Sequence, residues 1–177
     1  MLDSMQKILL KDAYDVASKV DFTSLKNKSI LITGSSGLIG INLVASIRVL
    51  CEMNEGPRKL ICAAHSSVGS VAGSIFDFPE AAVVCGDLSE NVNFLRDLGP
   101  FDFIIHAAGY GQPHKFMADP VETLTLNTKC TLDLFDLLNT GGGFLFISTS
   151  EVYSGLEQSP FNESQIGTTN TDHQRAC

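Results

Sequence analysis

The sequence predicts an α/β fold of the doubly wound type: a parallel sheet in the strand order 3-2-1-4-5, helices on both faces, and an additional helix in front. Three observations carry this. Short apolar runs of β type alternate with segments of helical period. The first run, Ile30-Leu31-Ile32-Thr33, opens into a turn with glycines at 34, 37 and 40, and a helical pattern starts at Leu38. The last run, Phe144-Leu145-Phe146-Ile147, feeds directly into Ser148-Thr149-Ser150-Glu151-Val152-Tyr153, so polar groups gather at the carboxyl end of a strand.

Composition bounds the function. A chain of 177 residues with 44% hydrophobic and 18% charged content suits one domain with a core. The net charge of −8, without a Lys/Arg cluster, argues against a nucleic-acid partner. No apolar run approaches the ~20 residues of a membrane span. Asp3 near the start, with no continuous apolar segment, argues against a signal peptide. The five cysteines form no C-x-x-C pair, so neither a metal site nor a disulfide is expected. Cys62 and Cys85, in strand-like runs, read as small buried apolar residues. The expected setting is a reducing cytoplasm.

Residues 4 to 20 repeat apolar residues near a 3.6 period (Met5, Ile8, Leu9, Ala13, Val16, Val20), and Asp3 with Gln6 could form a capping box. Residues 1–28 therefore read as a helical extension to the domain at 29–177, its stripe covered by a sheet edge or a neighbouring helix. Residues 21–28 form a polar connector. In the glycine turn, Gly34 permits the sharp exit from the strand. Gly37 clears the approach of a pyrophosphate, and Gly40 lets the helix pack on the sheet. The helix N-terminus supplies N–H groups and partial positive charge for phosphates. Gly34, Ser35, Ser36, Gly37, Leu38, Ile39 and Gly40 are thus the first candidate dinucleotide-binding residues of a Rossmann fold.

Leu38 to Leu50 suits a helix on a sheet, stopped by Glu55-Gly56-Pro57. Leu60-Ile61-Cys62-Ala63-Ala64 is the second strand. An acid normally closes this strand and binds the adenosine ribose hydroxyls. Here Ala64 is followed by His65-Ser66-Ser67, and no Arg stands there for a 2′-phosphate. NAD is the expected cofactor, with NADP not excluded. Residues 65–80 read as a long loop or short irregular helix, and 81–85 as a short buried strand. Phe101 to Ala107 is the fourth strand. His106, at its end, reads as a hydrogen-bonded structural residue rather than a catalytic one. Tyr110 to Ala118 reads as a loop. Asp119-Pro120 starts a helix with apolar face Leu124, Thr128, Thr131, Leu134, Phe135 and Leu138, ended by Gly141-Gly142-Gly143.

Several of these stretches resemble one family. Thr33-Gly34-x-x-Gly37-x-x-Gly40 is similar to the glycine turn of extended short-chain dehydrogenases/reductases, which act on nucleotide sugars. His106-Ala107-Ala108 resembles that family's H-x-A run. Pro120…Thr123…Asn127…Thr131…Leu134 resembles its P-x-x-T-x-x-x-N-x-x-x-T-x-x-L pattern. Ser148-Thr149-Ser150-Glu151-Val152-Tyr153 resembles the S-T-[SD]-E-V-Y element of nucleotide-sugar dehydratases and UDP-glucuronate decarboxylases. Ser154 departs from the pattern by separating Tyr153 from Gly155.

The resemblance implies an NAD-dependent nucleotide-sugar epimerase, dehydratase or decarboxylase that oxidises its sugar transiently at C4. It assigns Thr149 to hydrogen bonding of the reacting sugar oxygen. Ser150 stands where dehydratases carry a catalytic Asp and decarboxylases a Ser, and Glu151 corresponds to the active-site Glu. It assigns Asp87, beside Leu88, to the adenine amino group; from the residues alone Asp87 is equally an N-cap for a helix near Ser89. Ala107, Ala108 and Gly109 would let the backbone pass close to the dinucleotide, and Asn127 would hold helix and site backbone together. The partner implied is a nucleotide sugar, and a homodimer is possible in the whole enzyme.

The family's Tyr-x-x-x-Lys pair is missing. The three tyrosines, at 14, 110 and 153, have Ser18, His114 and Glu157 four residues on. Arg175-Ala176-Cys177 resembles the run just before that tyrosine. The chain is therefore expected to be an inactive N-terminal part of such an enzyme, lacking the substrate lobe. The alternative is a non-catalytic dinucleotide-binding sensor or scaffold module.

Overall fold

The computed structural model describes residues 4–157 and 159–168. Its centre is a parallel sheet in the order β3-β2-β1-β4-β5, as expected. The strands are β1 (Ser29–Thr33), β2 (Lys59–Ala64), β3 (Ala81–Cys85), β4 (Phe101–His106) and β5 (Leu138–Phe146). The helices are α1 (Ser4–Ala17), α2 (Leu38–Glu52), α3 (Ser70–Ile75), α4 (Asn93–Arg96), α5 (Pro113–Ala118), α6 (Pro120–Asn127) and α7 (Lys129–Phe135).

β1 is buried along its whole length, which explains its unbroken apolar run: helices cover both sheet faces. Its alternating side chains divide the core in two. Ile30 and Ile32 pack toward Ala13 of α1, Val44 of α2 and Ile75 of α3. Leu31 packs the other way, toward Leu95 of α4, Ile104 of β4, Leu126 of α6 and Leu134 of α7.

The N-terminal helix lies on α2 and α3. The buried face differs from the expected one. Of the expected stripe Ala13 is buried and Leu9 packs on the core, but Met5, Ile8, Val16 and Val20 are exposed, and Gln6, outside the stripe, is buried. Ala13 is small enough for close helix approach, and Gln6 reaches across to donate to the Ser74 hydroxyl. Asp3, the other half of the expected capping box, lies outside the described residues.

Four further expectations are corrected. β3 is an edge strand with Ala82, Val83 and Cys85 exposed, so Cys85 is not a core residue. Part of the expected 110–118 loop forms α5. The single helix expected from Asp119 is two, broken at Thr128, and its buried residues are Leu126, Cys130 and Leu134. Leu124 and Phe135 face solvent. Finally, Gly141-Gly142-Gly143 do not end a helix; they lie inside β5. The pairing of β5 shifts between Phe101, opposite Leu138, and Phe103, opposite Gly143. A side chain at Gly143 would come within 2.7 Å of the Phe103 ring, so glycine permits this irregular, close pairing.

Candidate functional site

Parallel strands bring their carboxyl ends to one edge of the sheet, and there a solvent-open groove of about 190 Å³ has formed. The exits of β1, β2, β3 and β4 each contribute a wall.

The β1 exit is set by Gly34, at φ 64°, where a Cβ would lie 2.5 Å from the Ala107 carbonyl oxygen. Ser36 and Gly37 line the groove. Gly37 caps α2 with no side-chain acceptor, so the first-turn N–H groups of this 15-residue helix are left for an anion. Gly40 is needed for packing: a Cβ would sit 2.3 Å from the Gly34 carbonyl oxygen. Ser35 does not face the groove. It is fully buried, and both its N–H (3.1 Å) and its hydroxyl (3.0 Å) donate to the Ala63 carbonyl, tying the turn to β2. The side chains of Leu38 and Ile39 also lie outside the groove, 84% and 49% exposed.

His106 holds the β4 exit to β1. Its Nε2 lies 3.2 Å from the Leu126 carbonyl, which can only accept, so Nε2 carries the proton. Nδ1 then accepts from the Thr33 hydroxyl at 2.6 Å, and that hydroxyl accepts from the Ala108 N–H at 3.3 Å. Burial pushes the imidazole below its ordinary value of 6.5, keeping it neutral. His106 is thus the structural residue expected. The chain Leu126–His106–Thr33–Ala108 fixes the backbone at Ala107, Ala108 and Gly109, all of which line the groove. Tyr110 follows them there. Its hydroxyl donates to Glu122 of α6, and chiefly that hydrogen bond pushes the phenol up to about 12.

Asp87 and Leu88 line the far wall with Gly86 and Ser89. Asp87 Oδ1 accepts from the Ser89 N–H at 2.8 Å and the Ser89 hydroxyl at 2.6 Å. That hydroxyl, foremost, holds the carboxyl below its ordinary value, and the His65 imidazole adds to this. Asp87 thus closes a turn at Ser89; the helix begins only at Asn93. Ala63, Ala64, His65 and Tyr110, none of them a sequence candidate, also stand on the groove wall. The signal for His65 was present: it stands just past the strand end where an acid normally sits.

Asn127 does not line the groove. It is exposed, and its Nδ2 donates to the Thr123 carbonyl at 2.8 Å. Its Oδ1 would lie 3.8 Å from a Cβ placed at Gly109, so it stands beside the β4 exit. Thr149, Ser150 and Glu151 stand apart from the groove lining but at the same sheet edge. The Ile147 N–H donates to the His106 carbonyl at 2.9 Å, so β5 leaves the sheet beside β4. Thr149 then caps a 3-10 turn, Ser150–Tyr153, its Oγ1 accepting from the Glu151 N–H at 3.2 Å. Tyr153 stacks on Phe161 at 5.2 Å. Arg175-Ala176-Cys177 lies outside the described residues. Among the described residues no group of His, Cys, Asp and Glu could hold a metal, and no helix is long and apolar enough to cross a membrane.

The model of the NAD dependent epimerase/dehydratase family matches residues 30–176. UDP-glucuronic acid decarboxylase 1 of Danio rerio is 32% identical over 166 residues, 89% of this chain and 36% of its own length. dTDP-glucose 4,6-dehydratase of Streptomyces antibioticus is 26% identical over 141 residues, 77% of this chain and 42% of its own. The chain thus spans well under half the length of these curated relatives. Among solved structures, DesIV, a dTDP-glucose 4,6-dehydratase from Streptomyces venezuelae with NAD and TYD bound, superposes with a TM-score of 0.68. Its identity is 21%, covering 84% of this chain and 48% of that one, a likeness of fold. By the span of the family match, the chain belongs to the NAD dependent epimerase/dehydratase family.

Proposed function

We propose that the groove binds NAD and that this chain is the dinucleotide-binding part of a cytoplasmic nucleotide-sugar epimerase, dehydratase or decarboxylase. One observation carries the reading: the uncapped N-terminus of α2 opens at Gly37 onto the same groove that Asp87 and Ala107–Gly109 line. The residues fit the dinucleotide. The α2 N–H groups and the Ser36 hydroxyl suit a pyrophosphate. Asp87 offers a carboxylate to an adenine amino group. The small residues at 107–109 allow a backbone approach toward the nicotinamide side. When bound, the cofactor supplies a hydride acceptor for transient oxidation of the sugar at C4.

The residues after β5 would serve the sugar. Thr149 Oγ1 accepts from the Glu151 N–H, so its own O–H is the hydrogen it can donate to a sugar oxygen. Glu151 can accept or return a proton, and Ser150, exposed on the same turn, offers a second hydroxyl. None of the three tyrosines has a lysine four residues on, so the chain lacks the phenol–ammonium pair that removes the sugar hydroxyl proton. It should therefore bind NAD without turning sugar over.

The test is incubation of the purified protein with NAD and UDP-glucuronate or dTDP-glucose, with dinucleotide binding and sugar products measured together. Binding without product is expected. Product formation refutes the inactivity, and absence of dinucleotide binding refutes the reading itself.

A further inference from the structure

The wall of the groove at the end of β2 carries no carboxylate. In a dinucleotide site of this kind a carboxylate there does two things: it accepts from the ribose hydroxyls, and it repels a 2′-phosphate. Resting on the proposal that the groove holds a dinucleotide, we propose that His65 is the ribose-recognition residue and that it lets the groove accept NADP as well as NAD.

Three observations support this. Ala63, Ala64 and His65 form the wall between the Gly34–Gly37 turn and Asp87, and His65, one residue past the end of β2, is its polar side chain. The start of the following loop is tied down: the Cys85 thiol at the end of β3 donates to the Ser66 carbonyl at 3.3 Å. Among the described groove-lining residues Asp87 is the one acid, and His65 Nε2 faces its Oδ2 at 3.4 Å.

The chemistry follows from that pair. Asp87 Oδ1 accepts from Ser89, and His65 Nε2 stands 3.4 Å from Oδ2. Nδ1, the ring nitrogen that is not against Asp87, is the atom this assignment gives to the ligand. As a neutral ring it accepts from a ribose 2′-hydroxyl; as an imidazolium it donates to a 2′-phosphate oxygen. Neither state has the fixed negative charge that makes an acid at this point exclude NADP.

The test is isothermal titration calorimetry of NAD and NADP, at one pH and ionic strength, against the protein and its His65→Asp and His65→Ala variants. The His65 side chain is 73% exposed, so both variants should keep the wild-type circular dichroism. The protein is expected to bind the two dinucleotides with Kd values within about tenfold of each other, and His65→Asp to raise the NADP/NAD ratio by about tenfold or more, the size of one misplaced like charge. His65→Ala should weaken NAD without that rise. Binding of NAD with NADP already excluded overturns the His65 assignment alone, as does an unchanged ratio in His65→Asp. Binding of neither dinucleotide overturns the dinucleotide reading, and the assignment with it.

Discussion

Replacing Thr33 by Val tests how the groove is held. Thr33 is fully buried, and Val has nearly its shape, so no cavity opens. What disappears is one hydroxyl with two tasks: it donates to His106 Nδ1 at 2.6 Å and accepts from the Ala108 N–H at 3.3 Å. The ring nitrogen, on a residue 1% exposed, would be left without a partner. An orphaned buried polar group costs about 1–3 kcal/mol, and the longer bond to the half-buried Ala108 adds less, so the variant should lose about 2–4 kcal/mol. Thr33→Ser keeps the hydroxyl and removes a methyl, for about 1 kcal/mol. Urea unfolding followed by circular dichroism reads both, with an unchanged m-value indicating a stability effect alone. Because Ala107–Gly109 line the groove, Thr33→Val should also weaken dinucleotide binding, whereas Thr33→Ser should not. A Thr33→Val protein as stable as Thr33→Ser would refute the reasoning about the His106 chain.

The same imidazole predicts a pH dependence. Below pH 6.5 the unfolded chain takes up a proton that the buried His106 of the folded chain resists, so stability should fall with falling pH. In His106→Gln the slope between pH 7 and pH 5 should be shallower, and an unchanged slope counts against a neutral buried imidazole. Gly34→Ala should cost about 2–4 kcal/mol in thermal unfolding, because Ala is strained at φ 64° and its Cβ would meet the Ala107 oxygen. Asp119→Ala should cost about 0.5–2 kcal/mol, since the Asp119 carboxylate caps α6 by accepting from the Glu122 N–H at 3.1 Å. With iodoacetamide on the folded protein, peptide mapping should find Cys85 labelled ahead of Cys62 and Cys130. The latter two are buried, and their thiols are pushed up to about 12 and about 11, so they hold little thiolate near neutral pH.

The strand order and the glycine turn were legible because the signals are local: an unbroken apolar run means a strand buried on both faces, and a Gly34 flanked by strand and helix means a sharp exit. The structural role of His106 was legible for a similar reason, since a polar ring ending a buried strand must find partners. The misses arise where tertiary contacts override local pattern. Glycines at 141–143 look like a helix stop, yet they serve a strand that must press against Phe103 and shift its register. The helix break at Thr128 falls just past the Leu126 carbonyl, which turns to His106, a partner from another element. Apolar spacing picked out Ala13 of α1 but not Gln6 beside it, because Gln6 is buried through a bond to Ser74 that no local pattern reveals. Of the four strand exits on the groove, those of β1, β3 and β4 carry residues nominated from the sequence. The roles of Ser35 and of His65 depended on how β2 meets the glycine turn and Asp87.

The most direct test of the central claim is titration of NADH fluorescence with the protein and with Gly37→Asp, followed by displacement with ADP-ribose. The variant puts a carboxylate at the N-cap of α2, where the pyrophosphate would lie. The account predicts saturable binding by the protein, displaced by ADP-ribose and lost in Gly37→Asp at unchanged helix content. No saturable signal, or equal binding by Gly37→Asp, would contradict the claim that this groove is a dinucleotide site.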